Sequence, residues 1–292
     1  MKELVVISGK GGTGKTTLLS AFAALAENKV VCDADVDAAD LHLIMIPKVR
    51  RCESFQSGRT AMIDRDKCTE CGLCRDLCRW DAISEDFQVD PLECEGCGVC
   101  VHFCPENAIE FPLNTCGEWF ISETRFGPMV HARLGIAEEN SGKLVSLVRQ
   151  EAKKLAEERK LDLILTDGPP GVGCPVIASI GGATALLIVT EPTLSGAHDM
   201  VRVAELAAHF KLPGMMCINK YDLNVEQSQK IEETAVEKGL AVIGRIPFDP
   251  VFTKAMVQGK TIFEYDGSSE AGVWVRDIWQ KVEAKLRTLN SA

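Results

Sequence analysis

GKGGTGKT at residues 9–16 and eight cysteines between Cys68 and Cys104 are the parts of this chain equipped to bind something other than protein. The first fits G-x-x-x-x-G-K-[ST], in which glycines let backbone N–H groups converge on phosphate oxygens and the following helix adds partial positive charge. Lys15 is placed to reach β- and γ-phosphates and the Thr16 hydroxyl to hold Mg²⁺. Gly9, Lys10, Gly11, Gly12, Thr13, Gly14 and Thr17 complete the candidate nucleotide loop. In the second group, Cys68, Cys71, Cys74 and Cys78 follow C-x₂-C-x₂-C-x₃-C, and Cys94, Cys97, Cys100 and Cys104 repeat it before Pro105. Thiolates this dense suit a soft metal better than a packed core.

The cysteine spacing resembles the ligand pattern of bacterial two-cluster ferredoxins, in which three close cysteines bind one [4Fe–4S] cluster and the remote fourth binds the other. That resemblance implies a crossed assignment: Cys68, Cys71, Cys74 and Cys104 for one cluster, and Cys94, Cys97, Cys100 and Cys78 for the other. Gly72, Gly96 and Gly98 would ease the backbone past the sulfurs. Zinc sites usually use two cysteine pairs separated by a longer loop. Arg79 stands where the second motif has Pro105, a departure that leaves the ligands intact.

The elements that must carry these groups are legible as alternating runs. Residues 3–8, 29–33, 161–166, 185–190, 215–219 and 241–246 are short apolar segments, each the length of a buried parallel strand. Helical patterns cover 15–26, 142–159, 195–210, 225–238 and 273–289. The alternation predicts an α/β fold, a mostly parallel sheet flanked by helices. It stops between about 63 and 112, where turns and cysteines take over. The expected organisation is therefore an ATPase-type domain from 1–62 and 113–292, with a small inserted domain at 63–112.

Of the 292 residues, 46% are hydrophobic and 25% charged, an ordinary globular composition. A net charge of -10 without a Lys/Arg run argues against nucleic acid or an anionic membrane as partner. No stretch is long and apolar enough to span a bilayer, and MKELVVIS enters a strand without a signal-peptide core, so the cytoplasm is expected. Thiols in a reducing compartment more often bind metal than form disulfides. Cys32 and Cys217 lie in apolar strands and read as core residues.

KGGTGKTT, with its early lysine at Lys10, resembles the deviant phosphate loop of the MinD, ParA, Mrp and nitrogenase iron protein group of ATPases. VVCDADVDAADLHL at 30–43 and LILTDGPPG at 163–171 extend the likeness. It implies ATP and Mg²⁺ as ligands, Lys10 reaching across a dimer to the partner subunit's nucleotide, and Asp35 positioning the attacking water with Asp33 beside the metal. It further implies Asp167 and Asp35 at Mg²⁺, directly or through water, and Gly168 near the γ-phosphate, with Lys10, Lys15 and Asp35 as the catalytic set. Asn219 in INKYD resembles the base-contacting asparagine, and IPFDPVF at 246–252, containing Pro247 and Asp249, the loop that passes the adenine. From the residues alone, Asp33 and Asp37 could equally be helix caps or turn formers.

Together the parts resemble MinD-superfamily ATPases that contain an inserted two-cluster ferredoxin domain. The implied function is an ATPase whose nucleotide-driven dimer switching gates electron transfer to a protein partner. The implied partners are a second copy or a related ATPase, and a redox or apo-protein. The alternative is an iron–sulfur assembly scaffold or carrier.

Overall fold

The computed structural model describes residues 1–135 and 141–289. Its strands are β1 (Lys2–Ile7), β2 (Lys29–Asp33), β3 (Lys48–Arg59), β4 (Met62–Ile63), β5 (Ile109–Glu110), β6 (Leu113–Thr124), β7 (Gly127–Leu134), β8 (Leu163–Asp167), β9 (Ala185–Thr190), β10 (Gly214–Asn219) and β11 (Ala241–Ile246). Its α-helices are α1 (Lys15–Leu25), α2 (Leu41–Met45), α3 (Leu73–Leu77), α4 (Val99–Phe103), α5 (Ser141–Arg159), α6 (Cys174–Ile180), α7 (Leu194–His209), α8 (Val225–Glu237), α9 (Pro250–Val257), α10 (Ile262–Asp266) and α11 (Glu270–Thr288). The chain divides into two compact units: the described residues of Met1–Glu53, Glu118–Leu134 and Ser141–Ala292, and those of Ser54–Gly117 and Gly135–Asn140.

A nine-stranded sheet runs in the order β11-β10-β9-β1-β8-β2-β7-β6-β3. From β11 through β7 its neighbouring strands pair in parallel. Short Val/Ile/Leu-rich strands buried on both faces produce this, because helices cover each side. On one face Phe22 of α1 packs on Trp279 of α11, ring centroids 5.1 Å apart, over Leu4, Val6, Leu165 and Leu187. On the other, Val176 and Ile180 of α6 and Met200 and Val203 of α7 cover Val5, Ile7, Leu186 and Ile188.

Three strands of the sheet have no counterpart in the sequence reading: β3, β6 and β7. β3 buries only Phe55 and Ser57 of its twelve residues, so it lacks the apolar alternation that marks a half-buried strand. β6 buries Cys116, Trp119 and Ser122, one of them polar, at an interval of three.

The second unit is built differently. β4 and β5 form an antiparallel pair, Met62 opposite Glu110 and Ile63 opposite Ile109. Two five-residue helices, α3 and α4, touch each other and bury none of their residues. Its buried apolar side chains are few and mostly small: Phe55, Ala61, Ala82, Ile83, Ala108, Ile109 and Cys116. A unit of this size with so thin a core usually needs disulfides or a bound metal group to be stable, and its eight motif cysteines form no disulfide.

Candidate functional site

In the first unit, parallel strands end at one edge, where open α/β sheets place their ligands. The 9–16 loop leaves β1 here and enters α1 through Gly12 (φ 81°) and Gly14 (φ 90°). Gly14 is the N-cap of α1 and no side chain caps it, which leaves the first-turn N–H groups for a ligand. Gly14 is required twice over, since an added Cβ would lie 2.4 Å from Asn219 Nδ2.

Register brings the acids together. Asp33 ends β2 opposite Asp167 at the end of β8, and Asp167 in turn faces Val6 of β1. Lys15 Nζ donates to Asp167 Oδ1 at 2.7 Å and to Asp35 Oδ2 at 3.2 Å. Thr16 Oγ1 donates to Asp167 Oδ2 at 2.7 Å, and Asp35 N donates to Asp33 Oδ1 at 3.2 Å. All of these groups but Thr16 are nearly sealed from solvent: Lys15 is 6% exposed, Asp33 1%, Asp35 7% and Asp167 1%. Burial pushes the Asp33 carboxyl well up, and Asp167 adds to it; burial likewise raises Asp35 against the pull of Lys15. Burial by itself would lower Lys15, but Asp167 and Asp35 outweigh it and hold the ammonium above its usual range. One ammonium thus faces three carboxyl groups.

Among the described residues, three buried polar atoms lack hydrogen-bond partners: Thr13 Oγ1, Asp33 Oδ2 and Asp35 Oδ1. All three belong to this edge. Orphaned carboxylate and hydroxyl oxygens are the donors a hard cation such as Mg²⁺ takes, so the residues fit that ion and a phosphate beside it.

The other residues singled out from the sequence are placed as follows. Asn219 Nδ2 donates to Thr13 O at 2.8 Å, bracing the loop. Thr17 Oγ1 donates to Met256 Sδ of α9 at 2.9 Å. Pro247 follows β11, and Asp249 is the N-cap of α9, accepting from Val251 N at 2.9 Å. Gly168 N donates to Val6 O at 2.8 Å, and a Cβ there would come within 2.5 Å of Ile7 Cγ2. Lys10 pairs with Glu191 at 2.5 Å. Glu191 and Lys220 had no place in the sequence reading, although Glu191 follows an apolar strand as Asp33 and Asp167 do.

In the second unit the cysteine repeat is also a backbone repeat. Glu70 and Gly96, Gly72 and Gly98, and Asp81 and Asn107 occupy matching positions of the two motifs, and all six have positive φ. Cys68 N donates to Asp64 O and Cys94 N to Asp90 O, again in register. Gly96 admits no side chain, because a Cβ would stand 2.3 Å from Arg59 O.

Two cavities result. One is lined by Cys68, Cys71, Cys74 and Cys104 with Ile63, Phe87 and Ile109. The other is lined by Cys78, Cys94, Cys97 and Cys100 with Trp80, Ile83 and Phe111. Glu70 N and Ala108 N donate to the sulfurs of Cys68 and Cys104 at 3.4 and 3.3 Å. Among the described residues, no three His, Cys, Asp or Glu side chains are grouped as the ligands of a single metal ion. Four thiols line each cavity, a donor set whose chemistry suits a soft metal such as iron. Cys174, at the start of α6, is exposed, while Cys32 and Cys217 are buried.

Residues 4–262 match the CobQ/CobB/MinD/ParA nucleotide binding domain. An uncharacterized protein of Methanocaldococcus jannaschii is 31% identical over 285 residues, covering 96% of each chain. Nitrogenase iron protein 2 of Methanothermococcus thermolithotrophicus is 26% identical over 151 residues, 49% of this chain and 52% of that one. Among solved structures, the septum site-determining protein MinD of Pyrococcus horikoshii complexed with Mg-ADP superposes with a TM-score of 0.62 at 19% identity, covering 98% of this chain and 97% of that one. The cell division ATPase MinD of Pyrococcus furiosus gives a TM-score of 0.61 at 17% identity, covering 97% and 99%. At these identities the structural likeness speaks for the fold.

Proposed function

Because the chain belongs to the CobQ/CobB/MinD/ParA nucleotide-binding family, we propose that it is a Mg²⁺-dependent ATPase whose nucleotide-driven dimer switching gates electron transfer through two [4Fe–4S] clusters to a protein partner. The observation that carries the reading is the pair of cavities, each walled by three cysteines of one motif and the remote fourth of the other.

The nucleotide half rests on the strand-end acids. Lys15 exchanges carboxylates for β- and γ-phosphate oxygens, and the loop N–H groups with the α1 N-terminus take the remaining phosphate charge. Thr16, Asp33, Asp35 and Asp167 would hold Mg²⁺, directly or through water, and the ion would offset the charge of the transferred phosphate. Asp35 orients the attacking water, its raised proton affinity suiting it to accept hydrogen bonds from that water. Lys10 serves the nucleotide of the partner subunit, with Asn219 and the 246–252 loop beside the base.

The redox half rests on the second unit. When bound, the clusters supply one-electron transfer at potentials set by hydrogen bonds to sulfur, local charge and exposure. The chain contributes the thiolates, the N–H donors at Glu70 and Ala108, and the apolar side chains of Phe87, Phe111 and Trp80 beside them. Fusing the two units lets one binding event bias the other, which separate proteins cannot do.

Anaerobic reconstitution followed by iron and sulfide analysis tests the assignment, with ATP hydrolysis measured on the same sample. About eight irons and eight sulfides per chain are expected for two cubanes. One or two zinc ions in place of iron, or clusters that pass quantitatively to an apo-ferredoxin, would overturn the electron-transfer reading, the second result in favour of a cluster carrier.

A further inference from the structure

Glu191, just beyond β9, accepts from two lysines. Lys10 Nζ stands 2.5 Å from Oε1 and Lys220 Nζ 3.1 Å from Oε2. The carboxylate is 14% exposed, and although burial alone would raise it, Lys10 and Lys220 together hold it below the usual carboxylate range. Lys220 Nζ also donates to Gly12 O at 3.1 Å, and the neighbouring Asn219 braces Thr13 O. One carboxylate thus links the tip of the phosphate loop, the β10 end and the early lysine.

We infer that Glu191 is a positioning residue that holds Lys10 back on its own subunit until phosphate charge draws the lysine away. The inference rests on the reading of Lys10 as a nucleotide ligand. The two-lysine arrangement is what makes the hold reversible. Breaking a part-buried ion pair normally strands one charge without a partner. Here the departure of Lys10 leaves Glu191 still neutralised by Lys220, so only one of the two contacts is lost. Lys220 stays fixed because it is tied to Gly12 O as well. Among the described residues Lys10 has no such second anchor for its ammonium; Ser8 Oγ bonds only its backbone carbonyl, at 2.7 Å. The loop therefore keeps its shape when Lys10 leaves.

The test is acetylation of the full-length protein by acetic anhydride, with the rate at Lys10 read by mass spectrometry against the exposed Lys211. Glu191→Gln should speed Lys10 acetylation about fivefold, the size of one ion pair of this exposure. Glu191→Asp, which keeps the charge, should recover most of the wild-type rate. Lys220→Met should slow Lys10 acetylation, since Glu191 then serves Lys10 alone, and this variant decides the matter if Glu191→Gln does not fold. An unchanged Lys10 rate in Glu191→Gln, or a faster one in Lys220→Met, overturns the inference. Light scattering with a Mg²⁺-bound non-hydrolysable ATP analogue separates it from the reading beneath: faster acetylation in Glu191→Gln without nucleotide-dependent dimers keeps the Glu191 hold and removes dimer switching.

Discussion

Replacing Lys15 by alanine removes the ammonium bonded to the Asp35 and Asp167 carboxylates and leaves them, with Asp33, nearly sealed from water. Removing one partner of a buried pair costs about 3–5 kcal/mol. At about 2–4 °C per kcal/mol for a unit of this size, the melting midpoint should fall by about 6–20 °C at neutral pH. The deficit should depend on pH with a definite sign. Asp33 and Asp35 already have folded-state proton affinities raised by burial. An acid raised on folding contributes stability that is fully present below its unfolded pKa and is lost as pH rises through its folded one. Without Lys15 to oppose it that trend steepens, so the deficit relative to wild type is widest near pH 8 and narrows toward about pH 5. Mg²⁺ should raise the variant's midpoint more than the wild type's, because the ion meets carboxylates with no competing ammonium. Thermal unfolding followed by circular dichroism under anaerobic conditions measures all three. A fall of less than about 3 °C, or a deficit independent of pH, would refute the charge accounting of this site.

Other substitutions separate the remaining roles. Asp35→Ala should slow ATP hydrolysis about 10²–10⁴-fold while retaining ATP binding, whereas normal hydrolysis would shift the water-positioning role to Asp33 or Asp37. Gly168→Ala places a Cβ 2.5 Å from Ile7 Cγ2 in a close-packed layer and should destabilise by about 1–3 kcal/mol, seen as a lower urea midpoint; an unaffected midpoint would mean that the turn has room to move. Cys104→Ser should perturb the set containing Cys68, and Cys78→Ser the set containing Cys94. Each should lower iron to about half and leave one cluster's paramagnetic signal unchanged, while loss of both signals from either variant would mean that the cavities are not independent.

The parallel strands other than β7 were readable because short Val, Ile and Leu runs such as 185–190, set between helical patterns, suit a strand covered on both faces. The phosphate loop was readable because its glycines must adopt backbone conformations such as the positive φ of Gly12 and Gly14. β3 was not readable: ten of its twelve residues are exposed, so no burial pattern is written into them. The crossed cysteine sets had to come from a resemblance, since spacing within each motif says nothing about which distant thiol closes a cavity. The pairing of Glu191 with Lys10 and Lys220 was equally hidden, because it joins residues from three separate strand ends. Asp249, singled out for a ligand loop, also caps a helix, a role that spacing alone does not announce.

The coupling of nucleotide state to the second unit is the central claim, and an anaerobic redox titration followed by electron paramagnetic resonance tests it most directly. The titration is run without nucleotide and again with Mg²⁺ and a non-hydrolysable ATP analogue. Two [4Fe–4S] signals are expected, with at least one midpoint shifted by about 60 mV or more, tenfold in a one-electron equilibrium. Midpoints that coincide in the two titrations, or the absence of any [4Fe–4S] signal from reconstituted protein, would contradict it.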